Sequence, residues 1–384
     1  MLPLPPLYPI TDASRPESLA QQIRNLGEAG FPLVQFRGKG LDLGRQWAEL
    51  RTALRASAEG GGWPLIVVND RADLAVLAAS EGLTPWGLHL GQSDLPPAEA
   101  RRLPGLERVH LGTSTHHPGE WEAVDAACDH AGVGPLRATP SKADHAQPIG
   151  LEGLQQACGA LRAQDLAPVA IGGIGAEDMA ACFEVGVASL AMIGAVARAA
   201  SPGDLLWEAQ RLRWQVQAPV RPGAGVVLVG GSGSGKSALA RALEPRLGLP
   251  AREVDQRVAR EADCTVAEVF RRQGEGAFRD LETSAALELL GQGPCILDLG
   301  AGAWESEALR SAVHRAGWSV LWVAERPEVA WARVAQDPER PLAASQKAFL
   351  ARWRERMEAW SVCNPVLPLG RTPETLAKAL AGAV

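Results

Sequence analysis

Over the first roughly 215 residues, short apolar runs alternate with longer amphipathic stretches. The runs fall at residues 7–10, 32–36, 65–68, 87–90, 109–112, 131–134, 169–171 and 189–193. Helix-like segments lie between them, among them 16–29, 43–58, 120–127, 151–161 and 176–185. Alternation of this kind predicts a parallel sheet covered by helices. Eight such units predict a closed (β/α)8 TIM barrel. Residues 205–216 read as its last helix. Residues 217–225 then carry two prolines and two glycines and break all periodicity, as linkers do. A new apolar strand starts at 226, and the chain reads α/β again to residue 384. The expected domains are therefore a barrel at 1–216, a linker at 217–225 and a second α/β domain with a parallel sheet at 226–384.

Composition narrows the partners. The net charge is -6, so no basic field exists to hold nucleic acid or an anionic membrane. No apolar run reaches the roughly 20 residues of a membrane helix, and the first residues do not read as a signal peptide. A cytoplasmic protein acting on small molecules is expected, with an oligomer left open. The six cysteines are dispersed without a C-x-x-C pair, and they read as buried apolar side chains rather than zinc ligands.

In a barrel of this kind the chemistry sits at the C-terminal ends of the strands, and the polar residues cluster there. Strand 2 runs into Gln35-Phe36-Arg37-Gly38-Lys39, strand 3 into Asn69-Asp70-Arg71, and strand 4 into His89-Leu90-Gly91-Gln92-Ser93-Asp94. Strand 5 ends in Ser114-Thr115-His116, strand 6 leads to Thr139-Pro140-Ser141-Lys142, strand 7 to Gly172-Gly173, and strand 8 to Ile193-Gly194. Arg37, Lys39 and Lys142 with the hydroxyls of Ser114, Thr139 and Ser141 suit a polyphosphate. Asp70 and Asp94 suit a magnesium ion bridging phosphate oxygens. The glycines after strands 7 and 8 suit a monophosphate held by backbone N–H groups.

These segments resemble thiamine phosphate synthase over residues 7–200. That family joins hydroxymethylpyrimidine diphosphate to a thiazole phosphate and releases pyrophosphate. The resemblance implies that Gln35, Arg37, Lys39 and Asn69 hold the pyrimidine diphosphate, and that Asp70 and Asp94 hold Mg²⁺. It implies that Ser114 and Lys142 act on the departing pyrophosphate. Thr139, Ser141, Gly172, Gly173, Ile193 and Gly194 would hold the thiazole phosphate. Gly194 stands where the family usually has serine, and Arg137 where it usually has an aromatic or apolar residue. The rival reading is the related thiazole tautomerase, which lacks the two metal carboxylates.

The second domain opens with a strand followed by Gly230-Gly231-Ser232-Gly233-Ser234-Gly235-Lys236-Ser237. This is G-x-x-x-x-G-K-S between a strand and a helix, a phosphate-binding P-loop for ATP. Gly230, Gly233, Gly235 and Ala238 would offer backbone N–H groups, Lys236 would reach the β- and γ-phosphates, and Ser237 would ligate Mg²⁺. Residues 226–370 resemble shikimate kinase. The stretch from Gly274 to Glu282 matches its G-E-x-x-F-R-x-x-E, Glu253-Val254-Asp255 stands at its D-x-D, and Gly300-Ala301-Gly302 stands at its triple glycine. Arg340-Pro341-Leu342 matches the lid, and Arg356 precedes Trp360 where the family has R-x-x-x-Y. The resemblance implies that Glu253 helps organise Mg²⁺ and Asp255 takes the acceptor hydroxyl. It implies that Arg279 and Arg356 hold the acceptor carboxylate, that Glu282 orients Arg279, that Arg340 closes over the phosphoryl group, and that Arg333 lies near the adenine. Glu253, Ala301, Trp360 and Ala343 depart from the pattern, and Asp298 adds a carboxylate that could compensate at the metal.

The sequence therefore predicts a bifunctional transferase that needs Mg²⁺ and ATP, pairing a thiamine phosphate synthase with a shikimate kinase. Two alternatives stand beside it. The kinase could phosphorylate another small alcohol such as hydroxyethylthiazole, or the barrel could be a ligand sensor.

Overall fold

The computed structural model describes residues 4–138, 147–336 and 345–382. The chain divides into two compact units. One comprises Met1–Ala58 with Trp63–Val216, and the other Glu59–Gly62 with Gln217–Val384.

The first unit contains eight strands, β1 (Leu7–Pro9), β2 (Leu33–Phe36), β3 (Leu65–Asn69), β4 (Gly87–Leu90), β5 (His110–Thr115), β6 (His130–Val133), β7 (Ala167–Ile171) and β8 (Ser189–Met192). They form one parallel sheet in the order β1-β8-β7-β6-β5-β4-β3-β2. The remaining junction, between β1 and β2, is made by a parallel bridge from Ile10 to Gln35. The expected (β/α)8 barrel is thus present and nearly closed. Its strands are short because each needs only to cross the barrel wall. Tyr8, Leu33, Val67, Val169 and Ala191, from five different strands, belong to one buried cluster. The larger aliphatic side chains among them, Leu33, Val67 and Val169, each contribute about 1.5–3 kcal/mol by leaving water.

One expected helix is not formed as predicted. The sequence pattern predicts a helix over 120–127, but the helix there is Pro118–Trp121. Asp125 explains the early stop. Its carboxylate accepts from the backbone N–H groups of Ala98 and Ala127, a local bonding that competes with helix. Helices also follow β3 and β8, at Ala72–Ser80 and Gly194–Arg198, in apolar stretches too uniform to show a helical period.

In the second unit, β9 (Val226–Val229), β10 (Ala251–Glu253), β11 (Ile296–Asp298), β12 (Ser319–Val323) and β13 (Asn364–Val366) form a parallel sheet in the order β10-β11-β9-β12-β13. The non-sequential order places β9 at its centre, and β9 is wholly buried. The helix Lys236–Leu247 follows it directly. Within the segment read as a linker, Val220 is buried, and the Arg221 N–H donates to Ser319 Oγ at 3.0 Å. No helix among the described residues is long and apolar enough to cross a membrane.

Candidate functional site

In the barrel, strand register brings the expected residues to one end. Gln35 is buried, and its Nε2 donates to Asn69 Oδ1 at 2.6 Å. Thr11 joins the neighbouring loops: its N–H donates to the Gln35 carbonyl, and its Oγ accepts from the Arg37 N–H at 2.8 Å. Asp70 follows β3 with a left-handed φ of 63°, its N–H held by the His89 carbonyl. Asp94 Oδ2 accepts from the Gly91 N–H at 2.7 Å. Ser114 Oγ lies 3.0 Å from His89 Nε2, and the Ser114 carbonyl accepts from Gln92 at 2.5 Å. At the other side, Gly172 and Gly173 end β7 with consecutive left-handed φ values of 90° and 69°. Ile193 and Gly194 follow β8. Lys39 is exposed beyond β2. Thr139, Ser141 and Lys142 lie outside the described residues.

Behind this rim lies a pair of imidazoles. The pairings His89↔Gly112 and Gly112↔His130 set a glycine between them. A Cβ at Gly112 would collide with the His130 ring and lie 2.7 Å from His89 Nδ1. His130 is 2% exposed, and neither ring nitrogen has a hydrogen-bond partner among the described residues. Burial pushes its pKa down to about 4, opposed by the Asp129 charge, so this imidazole stays neutral near pH 7.

In the second unit, one cavity of about 590 Å³ gathers most of the expected kinase residues. The P-loop forms one wall, with Gly233, Gly235, Lys236, Ser237 and Ala238, and Arg333 beside it. Asp255, Arg279, Gly300, Ala301 and Arg356 form another, and Glu253 lines the cavity as well. Gly230 and Gly302 adjoin the lining residues Gly231 and Ala301 in the chain. Lys236 Nζ donates to the carbonyls of Gly230 and Gly231 at 2.9 and 3.0 Å. Arg333 donates to the Gly233 carbonyl and pairs with Glu325. Arg340 lies outside the described residues.

The carboxylates divide the labour around this cavity. Ser237 Oγ donates to Asp298 Oδ2 at 2.5 Å, and Asp298 is 6% exposed. Burial pushes the Asp298 pKa up against the pull of Lys236. Glu253 is its register neighbour on β10 but pairs with Arg241 at 2.9 Å. Arg279 bonds Glu282 at 2.6 Å and Glu275 at 3.0 Å. Arg356 bonds Glu305 at 3.2 Å and approaches Glu275 at 3.6 Å. Glycine is required at two positions by close approach. A Cβ at Gly300 would collide with Glu282 and lie 2.9 Å from Asp255, and one at Gly302 would press on the Arg279 guanidinium. Ala301 stands between them and lines the cavity.

No three His, Cys, Asp or Glu side chains cluster as a metal site among the described residues. Two hard carboxylates with substrate phosphates fit magnesium, which keeps few protein ligands. Asp70 with Asp94, and Asp298 with Ser237 and Glu253, are donor sets of that kind.

Residues 7–196 match the family model described as thiamine monophosphate synthase. The chain is 39% identical over 211 residues to the thiamine-phosphate synthase of Chloroflexus aurantiacus, covering 54% of this chain and 90% of that protein. The chain belongs to the thiamine-phosphate synthase family. It is also 36% identical over 217 residues to the thiamine biosynthesis bifunctional protein ThiM/ThiE of Symbiobacterium thermophilum, a match that covers 55% of this chain and only 42% of that protein. Beyond the synthase half, residues 232–364 match the shikimate kinase model. A solved shikimate kinase from Acinetobacter baumannii, in complex with shikimate, covers 40% of this chain and 89% of its own, at 24% identity and a TM-score of 0.37. The two family models thus fall on the two halves of the chain in the order that the sequence predicts.

The sequence suggests no role for several residues that meet the expected ones. In the synthase half these are Thr11 and the His89–His130 pair. In the kinase-like half they are Glu275 and Glu305 on the acceptor arginines. Their roles arise from register and from side chains meeting across elements, and spacing along the chain does not show either.

Proposed function

We propose that the barrel condenses hydroxymethylpyrimidine diphosphate with a thiazole phosphate, giving thiamine phosphate and pyrophosphate. The observation that carries this is the convergence of Gln35, Asn69, Asp70, Asp94 and Ser114 at one end of a barrel whose family is thiamine-phosphate synthase. Gln35 and Asn69, already bonded to each other, would orient the pyrimidine. Arg37, Lys39 and Lys142 would neutralise the diphosphate. Ser114, its hydroxyl fixed by His89, would donate to the leaving oxygen. The bond from the pyrimidine methylene carbon to that oxygen breaks, and its electron pair leaves with pyrophosphate. The thiazole nitrogen lone pair then forms the new C–N bond. Thr139, Ser141 and the backbone at 172–173 and 193–194 would hold the thiazole phosphate in reach. Asp70 and Asp94 would hold magnesium, which when bound supplies positive charge to the diphosphate oxygens. This is electrostatic catalysis of departure, with no nucleophilic side chain.

For the second domain we propose transfer of the ATP γ-phosphate to a hydroxyl of shikimate. Two arginines beside Asp255 in one cavity with the P-loop support it. Asp255 would take the hydroxyl proton as the oxygen attacks. Arg279 and Arg356 would hold a carboxylate, exchanging their present partner Glu275 for it, and Arg340 would close over the phosphoryl group. Ser237, Asp298 and Glu253 would hold magnesium with the nucleotide. The functional boundary falls in 217–225, and the setting is cytoplasmic.

Turnover of the purified protein tests both readings. Asp70→Ala and Asp94→Ala are each expected to lower thiamine phosphate formation by about two to three orders of magnitude. Lys236→Ala should do the same to shikimate-dependent ATP consumption while sparing the synthase. ATP consumption that responds to hydroxyethylthiazole and not to shikimate would replace the acceptor assignment.

A further inference from the structure

The synthase half carries a guanidinium that the reading above leaves unused. Arg198 is the last residue of the helix Gly194–Arg198 after β8. It lies four positions after Gly194, so its side chain lies on the same helix face and leans back toward the start of the helix. Gly194 registers how far back. A Cβ at that position would lie 2.7 Å from Arg198 Nη1, 3.4 Å from Cζ and 3.5 Å from Nη2. The guanidinium therefore fills the space into which a side chain at 194 would point.

The nearby cation Arg137, beside Gly173, is committed: it pairs with the buried carboxylate of Asp178. Arg198 is exposed and has no hydrogen bond or ion pair among the described residues. An uncommitted guanidinium folded over a residue without a side chain, at the end of the barrel where two left-handed glycines close β7, is suited to a tetrahedral dianion. It offers two parallel donors and a full charge, where a hydroxyl offers one neutral donor.

We propose that Arg198 binds the monophosphate of the thiazole substrate, doing from position 198 what a side chain at 194 would otherwise do. This rests on the synthase reading. The ligand class is a phosphomonoester, in the substrate and equally in the product.

The test combines steady-state kinetics with calorimetric binding of the thiazole phosphate, both on the full chain. Arg198→Ala should raise the KM for thiazole phosphate and weaken its binding by about 10- to 100-fold. The KM for the pyrimidine diphosphate should stay within about twofold of wild type. Arg198→Lys should fall between, because it keeps the charge and loses the fork. Gly194→Ser added to Arg198→Ala should recover part of the loss, since the new side chain then has room and a hydroxyl. Unchanged binding in Arg198→Ala, or an equal rise in both KM values, would overturn the proposal. A wild type that binds thiazole phosphate through Arg198 but forms no thiamine phosphate would instead overturn the synthase reading and leave Arg198 standing.

Discussion

Glu282 sits in surroundings that conflict with its charge. It is 0% exposed, its Oε2 bonds Arg279, and its Oε1 has no hydrogen-bond partner among the described residues. Burial pushes its pKa up to about 7, and the Arg279 charge and hydrogen bond pull it back only in part. Unfolded, the carboxyl returns to its ordinary value of 4.5. Between these values the folded state binds the proton more often than the unfolded state does. Linkage then requires the contribution of this group to stability to fall as pH rises through the window. Glu282→Gln, which removes the titration and keeps an acceptor for Arg279, should flatten that slope. Denaturant unfolding of the kinase-like half at about pH 5, 6 and 7 reads it, and an unaltered slope would assign the effect to another group.

At the scale of elements, the loop after β11 shows how a short segment sets a site. Gly300 and Gly302 let Glu282, Asp255 and Arg279 approach closely, and Ala301 between them already carries a methyl group. Gly300→Ala should therefore cost far more than Ala301→Gly. Displacement of reacting groups by about 1 Å costs about 100-fold, so we expect a loss of that size in kinase turnover for the first. ATP binding should persist, because the P-loop is untouched. Comparable turnover in the two variants would mean that the close approach does not matter. The sequence showed this loop as a glycine motif with one departure, but not which of its three positions tolerates a side chain. It placed most strands to within one or two residues, because buried parallel strands are continuous apolar runs. It misjudged residues 120–127 because Asp125 looks helical by spacing and acts as a turn former by hydrogen bonding. The contacts of Ser114 with His89, and of Arg356 with Glu305, depend on register between distant segments, which no local pattern carries.

For the whole molecule, the sequence resolved the two parallel sheets and the P-loop because each half repeats a strong local pattern. Cysteine placement follows from the same layering. Cys128, Cys158, Cys182, Cys295 and Cys363 are buried and unpaired, and Cys264 is half-buried. Burial pushes the first three and Cys363 up to about 12 and Cys295 up to about 11, so these thiols are poor nucleophiles near neutrality. A thiol reagent should modify Cys264 alone in the native protein and all six cysteines in denaturant, as counted by mass. Rapid native labelling at several sites would contradict the burial of the cores.

The junction between β1 and β2 gives the barrel a direction of failure. Seven strand pairs hold the sheet by runs of ladder bonds, whereas this pair depends on the Ile10–Gln35 bridge and the Thr11 hydroxyl. Local opening follows the fewest bonds, so breathing begins along the seam that carries Gln35 and Arg37. Ligands held at once by Gln35 or Arg37 on the β2 side and by residues 193–194 beyond β1 would brace that seam, and binding would then strengthen the barrel wall where it is thinnest.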